Sequence, residues 1–201
     1  MTDPYYTHLA VLVDRSGSMN SIAVEAEAAL RTMLDEQFAE DGRLTVTLAE
    51  FDDRYDEVTD FASSLDAFAA WTLAPRGMTA LLDAVGNLVT ATGDKLAGFD
   101  EADRPGKVVV VIVTDGLENQ SREWTHEAVK ALIDQQTDVY GWEFVYLGAN
   151  QDAFAVGQSI GVNTTMDYTA DAAGTRSVYA SASAGVSRFR RGNTQSVVLG
   201  E

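Results

Sequence analysis

Asp14-Arg15-Ser16-Gly17-Ser18 is the segment of this chain whose residue types and spacing point most directly to chemistry. One carboxylate and two hydroxyls stand at alternate positions around a glycine, so a tight turn aims hard oxygen atoms at a single point. Hard oxygens without His or Cys suit Mg²⁺, Mn²⁺ or Ca²⁺. Two other short segments carry the same donor types, Gly77-Met78-Thr79 and Thr114-Asp115-Gly116. Taken singly, each is ordinary: Asp and Ser favour turns, Thr favours the start of a helix, and Asp-Gly ends many strands. Their joint occurrence is what suggests a site.

The elements needed to bring them together can be read from hydrophobic periodicity. A buried strand is expected over His8–Val13, followed by a helix from about Ser21 to Phe38 with Ile22, Ala26, Ala29, Leu30, Met33, Leu34 and Phe38 on one face. Leu44–Phe51 reads as a second strand, and the polar, alternating stretch Tyr55–Phe61 as an antiparallel edge. Thr79 is expected at the N-cap of a helix with Leu82, Val85 and Val89 inward. Val108–Thr114 is almost entirely β-branched, as a central parallel strand buried on both faces must be. A helix over about Arg122–Gln135, a strand over Trp142–Leu147, a helix over Gln151–Ile160, a short strand near Thr165–Tyr168 and a last helix over Ala172–Arg190 complete the order. This alternation predicts an α/β doubly wound, Rossmann-like sheet of about six mostly parallel strands with one antiparallel edge and helices on both faces. Residues 1–191 form one domain in this reading, and 192–201 a C-terminal tail ordered only in part. Ligand sites in such sheets lie beyond the carboxyl ends of the strands, where strand order reverses. Asp14 and Asp115 each follow a predicted buried strand, and meet only if those strands are neighbours.

The set Asp14, Ser16, Ser18, Thr79 and Asp115 resembles the metal-ion-dependent adhesion site (MIDAS) of the von Willebrand factor A (vWA) domains, whose pattern is Asp-x-Ser-x-Ser, a distant Thr and a more distant Asp. All five positions match in order, the likeness runs from about Thr7 to Arg190, and its local wording is similar to stand-alone bacterial and phage members. The resemblance implies direct metal ligation by Ser16 and Ser18, ligation by Thr79 directly or through water, and Asp14 and Asp115 mostly behind waters. It implies Mg²⁺ as the cellular ion, with Mn²⁺ or Ca²⁺ as substitutes, and a protein partner whose Asp or Glu completes the coordination. It further implies a non-enzymatic binding module, an AAA-type ATPase as a candidate partner, and a last helix able to shift along the sheet. The rival readings are a metal-dependent phosphoester hydrolase, with Asp115 and His126 as weak candidates for its base or nucleophile, and an assembly component whose metal site is idle.

Composition narrows the field further. The 201 residues carry a formal charge of −17, which argues against nucleic acid and anionic membrane surfaces. There is no cysteine, hence no disulfide and no thiolate metal site. The N-terminal residues lack the basic start and apolar core of a signal peptide, so a cytoplasmic protein is expected. An EF-hand threading of Asp14 to Glu25 fails because Met19 stands where that loop needs Gly. An aspartyl phosphotransferase of the haloacid dehalogenase type needs a second Asp where Ser16 stands, and no P-loop or Rossmann fingerprint is present. His8, at the start of its strand, is read as structural and His126 as a surface residue. Glu118 and Asn119 are expected to shape the rim of the site. The acidic cluster Asp52, Asp53, Asp56 and Glu57 is expected to be a solvated loop, and Arg188, Arg190 and Arg191 to complement a helix C-terminus. Trp71, Trp124 and Trp142 are expected to pack.

Overall fold

The computed structural model describes residues 1–200. In chain order its main elements are β1 (Asp3–Asp14), α1 (Ala23–Ala39), β2 (Arg43–Phe51), β3 (Tyr55–Ala62), α2 (Leu81–Ala97), β4 (Pro105–Thr114), α3 (His126–Tyr140), β5 (Glu143–Ala149), α4 (Ala153–Ser159), β6 (Thr164–Tyr168) and α5 (Ala172–Arg190). The six strands form one sheet in the order β3-β2-β1-β4-β5-β6. All neighbours are parallel except β2 and β3, which pair antiparallel at one edge. The expected α/β doubly wound architecture is therefore the one observed.

The central strands alternate between two cores because successive side chains point to opposite faces. Leu9, Val11 and Val13 of β1 join Val109, Val111 and Val113 of β4 beneath α1 and α5. Ala10 and Leu12 join Val108, Val110 and Ile112 on the other face, beneath α2 and α3. Both faces are covered, so these strands read as continuous apolar runs. Among the described residues no helix is long and apolar enough to cross a membrane.

Several boundaries differ from the sequence reading, each for a tertiary reason. β1 begins at Asp3, so His8 lies inside the strand and not at its start. A 3₁₀ turn, Gly17–Ser21, precedes α1, which delays the helix to Ala23. α3 starts at His126 and not near Arg122, because the Asp83 carboxylate of α2 accepts the backbone N–H groups of Arg122, Glu123 and Trp124 and holds that stretch as a loop. Trp71 and Trp142 are buried, and Trp124 is half-buried against Gly86.

α5 is tied to α1 and to the sheet by polar contacts. Gln37 donates to the Ser183 carbonyl (3.0 Å) and to Ser187 Oγ (2.9 Å). Arg190 donates to Gln37 Oε1 (3.1 Å), and Arg191 pairs with Glu40. Lys107 of β4 donates to the last carbonyls of α5, at 3.0 and 2.6 Å, complementing the helix C-terminus. Beyond α5, Val197 is buried and its N–H donates to Glu143 Oε2 (3.0 Å); Glu201 lies outside the described residues.

His8 is fully buried, stacked on Phe61 with ring centroids 3.7 Å apart, and its Nδ1 lies 3.0 Å from Thr45 Oγ1. Nε2 has no partner. Burial, reinforced by the charge of Lys95, lowers the His8 pKa to about 3. Between the ordinary value of 6.5 and about 3 the unfolded chain is protonated at this position and the folded one is not. This contribution is full above pH 6.5 and declines as pH falls toward 3, at a limiting slope of about 1.4 kcal/mol per pH unit. His8→Phe, which keeps the stacking, is expected to flatten the acid limb of stability by up to that slope in urea titrations between pH 7 and 4. An unchanged acid limb would show that His8 is not buried neutral.

Candidate metal centre

The strand order reverses between β1 and β4: the chain leaves β1 toward β2 on one side and leaves β4 toward β5 on the other. Their carboxyl ends therefore flank the crevice that such a sheet opens. Val13 pairs with Val113, which sets Asp14 beside Thr114 and brings Asp115 onto the same rim.

Asp14 is fully buried. Its Oδ1 accepts the Ser16 N–H at 2.6 Å, closing the turn after β1, and its Oδ2 accepts the Thr114 hydroxyl at 2.6 Å. Ser16 Oγ lies 2.9 Å from Ser18 Oγ, and Ser18 donates to Asp115 Oδ1 at 2.6 Å. Thr79 completes the group. A Cβ placed on Gly116 would fall 2.7 Å from Thr79 Oγ1 and 3.3 Å from Asp14 Oδ2, so only glycine lets these loops approach so closely. The structure thus gathers Asp14, Ser16, Ser18, Thr79 and Asp115 at one place.

Thr79 does not take the role of N-cap. That position is Ala80, and α2 begins at Leu81. The N-terminus of α2 is satisfied from another loop: Glu118 accepts the Leu82 N–H (2.9 Å) and Ser121 Oγ the Asp83 N–H (3.0 Å). Burial raises the Glu118 pKa, but the N–H and hydroxyl donors outweigh it and hold the carboxyl below its ordinary range. Asn119 brackets Thr79 itself, accepting its N–H through Oδ1 and donating its own N–H to the Thr79 carbonyl, both at 3.0 Å. The Thr79 hydroxyl is thereby left to the site.

In the acidic turn after β2, Asp53, Asp56 and Glu57 are exposed as expected, and Asp52 is the departure. Asp52 is fully buried, not solvated. Arg15, between Asp14 and Ser16 in the first loop, donates to Glu50 Oε2 and Asp52 Oδ2, each at 3.1 Å, and pairs with Asp56. Arg76 donates to Asp52 Oδ2 at 2.7 Å, and Trp71 Nε1 to Glu50 Oε1 at 2.8 Å. Burial pushes the Asp52 pKa up, yet Arg76, the Arg54 N–H and Arg15 hold it below the ordinary value. Backbone bonds tie the same loops: Arg76 N–H to the Arg15 carbonyl (2.7 Å), Gly17 N–H to the Gly77 carbonyl (3.2 Å), and Ala80 N–H to the Asp52 carbonyl (2.8 Å). Gly77 holds a φ of 70° with Asp53 close against it, a conformation and a space that a side chain would oppose.

Asp14 and Asp115 stand in a different electrostatic setting. Among the described residues neither pairs with Lys, Arg or His, since Arg15 is turned to the acidic turn instead. Burial raises the Asp14 pKa to about 6 against the hydrogen bonds from Thr114 and Ser16, with Asp115 adding repulsion. Burial also raises Asp115, opposed by Ser18. Among the described residues no cluster of three or more His, Cys, Asp or Glu side chains is arranged to hold a metal. The donor set here is two carboxylates and three hydroxyls, all hard oxygens, which fits a divalent cation of the Mg²⁺ type. His126, first residue of α3, is exposed. Thr114 is the supporting residue with the weakest sequence signal; a hydroxyl ending a run of valines was the trace it left.

No family model matches the chain, and no curated protein matches it. Solved structures do. Proximal thread matrix protein 1 from the mussel byssus, in a form with a zinc-occupied MIDAS motif, aligns with a TM-score of 0.64 at 18% identity over 87% of this chain and 44% of that one. A von Willebrand factor type A structure from Catenulispora acidiphila aligns at 0.64 and 12% identity, over 89% and 42%. The vWF domain of the type V pili tip protein Mfa5 from Porphyromonas gingivalis aligns at 0.63 and 11% identity, over 97% of both chains. The chain spans less than half the length of the first two. Likeness at these identities is one of fold, and the fold is that of the von Willebrand factor A domain.

Removing the Arg15 guanidinium leaves Glu50 and Asp52 buried without that partner. Arg15→Met is therefore expected to cost about 3–5 kcal/mol of stability, read from urea unfolding at pH 7. A cost below about 1 kcal/mol, the value of an exposed pair, would show that the clamp is solvated.

Proposed function

We propose that this protein is a divalent-cation-dependent protein-binding module. In this reading Ser16, Ser18 and Thr79 hold the ion, Asp14 and Asp115 supply charge and orient the hydroxyls, and a carboxylate from a partner protein completes the coordination. The observation that carries it is the convergence of two carboxylates lacking a cationic partner with three hydroxyls at the β1–β4 switch point. A bound divalent ion supplies a positive centre that an incoming Asp or Glu can ligate. Mg²⁺ is the proposed ion, and the zinc-occupied MIDAS motif of the mussel protein supports a divalent metal in this fold.

The chain's own residues define the rest. Thr114 and the Ser16 N–H hold buried Asp14 in place, and Ser18 holds half-buried Asp115. Met78 and Leu117, next to Thr79 and Gly116, are 50% and 60% exposed. They provide an apolar rim, so the partner's acid is expected to sit beside an apolar side chain. The net charge of −17 opposes the approach of another acidic surface, so the epitope around that acid is expected to be neutral or basic. Neither Asp115, engaged by Ser18, nor exposed His126 is arranged with a second group as a nucleophile–base pair, which favours binding over turnover.

Wild-type protein is expected to melt higher with Mg²⁺ or Mn²⁺ than with EDTA, by about 2.7 kcal/mol of stability at a hundredfold excess over Kd. Asp14→Ala and Ser18→Ala should lose that response. Pull-down from the native host should retain a protein with Mg²⁺ and release it with EDTA, and Leu117→Ser should weaken retention while keeping the metal response. Metal-dependent phosphoester turnover abolished by Asp14→Ala would overturn the binding reading. No metal response in the wild type would leave the site idle and overturn it as well.

A further inference from the structure

Tyr168 closes β6 at the same end of the sheet as Asp14 and Asp115. Thr114 pairs with Gly148, and Ala149 pairs with Tyr168. Asp115, one residue past Thr114, therefore stands two strand spacings from Tyr168, about 9.6 Å, with Ala149 between them. Val113, Ala149 and Tyr168 all belong to the core beneath α1 and α5. A tyrosine ring covers most of that span, and the alanine methyl leaves its path open. Tyr168 is 9% exposed, and its hydroxyl is buried without a hydrogen-bond partner among the described residues. Its backbone is fixed: its carbonyl accepts the Asn150 N–H at 2.9 Å, and Asn150 Oδ1 accepts the Ala170 N–H at 3.0 Å. Burial pushes the Tyr168 pKa up, and the charges of Asp115 and Asp14 push it further. Both carboxylates thus lie within electrostatic reach of a hydroxyl that keeps its proton at neutral pH. A buried hydroxyl without a partner destabilises a fold, and phenylalanine would fill the same space without that cost. Packing does not call for the hydroxyl.

The two carboxylates of the centre are unequally held. Asp14 accepts a hydrogen bond at each oxygen, from the Ser16 N–H and the Thr114 hydroxyl. Asp115 has Ser18, at Oδ1, as its one side-chain partner among the described residues. We propose that Tyr168 is a positioning residue of the metal centre, its hydroxyl donating to Asp115, directly or across one water, and keeping that carboxylate charged and oriented. This inference rests on the metal-binding reading above. Carboxylates that support a metal are themselves hydrogen-bonded, and removing such a donor weakens metal binding about tenfold or more. Thr175 and Tyr179 of α5 also carry buried hydroxyls without a partner among the described residues. The Tyr179 pKa is raised by burial and by Tyr168, with no carboxylate acting on it, which makes Tyr179 the control.

Mg²⁺ binding is measured by titration calorimetry, and metal-free stability by thermal unfolding in EDTA, for the wild type, Tyr168→Phe and Tyr179→Phe. Both variants are expected to melt at or above the wild type in EDTA, because each loses an unpaired hydroxyl. Tyr168→Phe alone should then bind Mg²⁺ about tenfold more weakly. In protein carrying ¹³C-labelled tyrosine, the Cζ resonance that Tyr168→Phe removes should shift as Mg²⁺ is added to the wild type. A hydroxyl with a merely structural role would change the melting temperature and not the affinity. Wild-type binding of Mg²⁺ with unchanged affinity in Tyr168→Phe would overturn the assignment and leave the metal centre standing. Equal weakening by both variants would overturn it too, by tracing the effect to packing beneath α5. No Mg²⁺ binding by the wild type would overturn the metal-binding reading and this inference with it.

Discussion

The parallel pairing of β1 with β4 is the constraint on which the site depends. Because Val13 stands opposite Val113, Asp14 and Thr114 leave the sheet side by side, and the Thr114 hydroxyl closes on Asp14 Oδ2. A slip of one residue would turn each valine to the wrong core and carry Asp14 away from its partner. The two hydrophobic cores thus hold the register, and the register holds the carboxylates. The packing that stabilises the domain also sets the distances within the site.

Charge is sorted by loop. Arg15, whose neighbours Asp14 and Ser16 both turn toward the centre, reaches instead to Glu50, Asp52 and Asp56, and Arg76 reinforces it. This pairs Glu50, Asp52 and Asp56 with arginines, while among the described residues Asp14 and Asp115 have no cationic partner. One arginine therefore does two things: it clamps three loops into the position that Thr79 requires, and it withholds its charge from the site. Two carboxylates with raised pKa values beside hydroxyls, one buried and one half-buried, and a paired acidic network a few residues away follow from that single choice of direction.

The opposite end of the sheet is built differently. There α2 and α3 part over a half-open groove, with Gly93 and Gln136 among its lining residues. On the other face, α5 is held down at its carboxyl end by Lys107 and through Gln37, Arg190 and Arg191, so its polar anchors lie far from the metal centre along the same helix. The two ends of the sheet offer a carboxylate-lined crevice and a mixed polar and apolar groove, and β4 runs between them.

Much of this was legible in the chain itself. The valine run of β4, the apolar face of α1 and the polar edge strand β3 specify their elements because burial on two faces, one stripe or one edge leaves a distinct periodicity. Asp14, Ser16, Ser18, Thr79 and Asp115 stood out because their types and spacing are local. What the sequence did not reveal were contacts between segments far apart in the chain. Asp52 looked like a solvated turn because its partners lie on other loops, at positions 15 and 76. Thr79 looked like an N-cap because nothing nearby announced that Glu118 and Asn119 would take over the start of α2. His8 looked like the beginning of a strand because the sheet that extends β1 back to Asp3 is made by β2 and β4. Periodicity and local chemistry determine which elements form and which residues are available; the pairing of remote strands and loops decides which charges are neutralised, which hydroxyls are free, and where they meet.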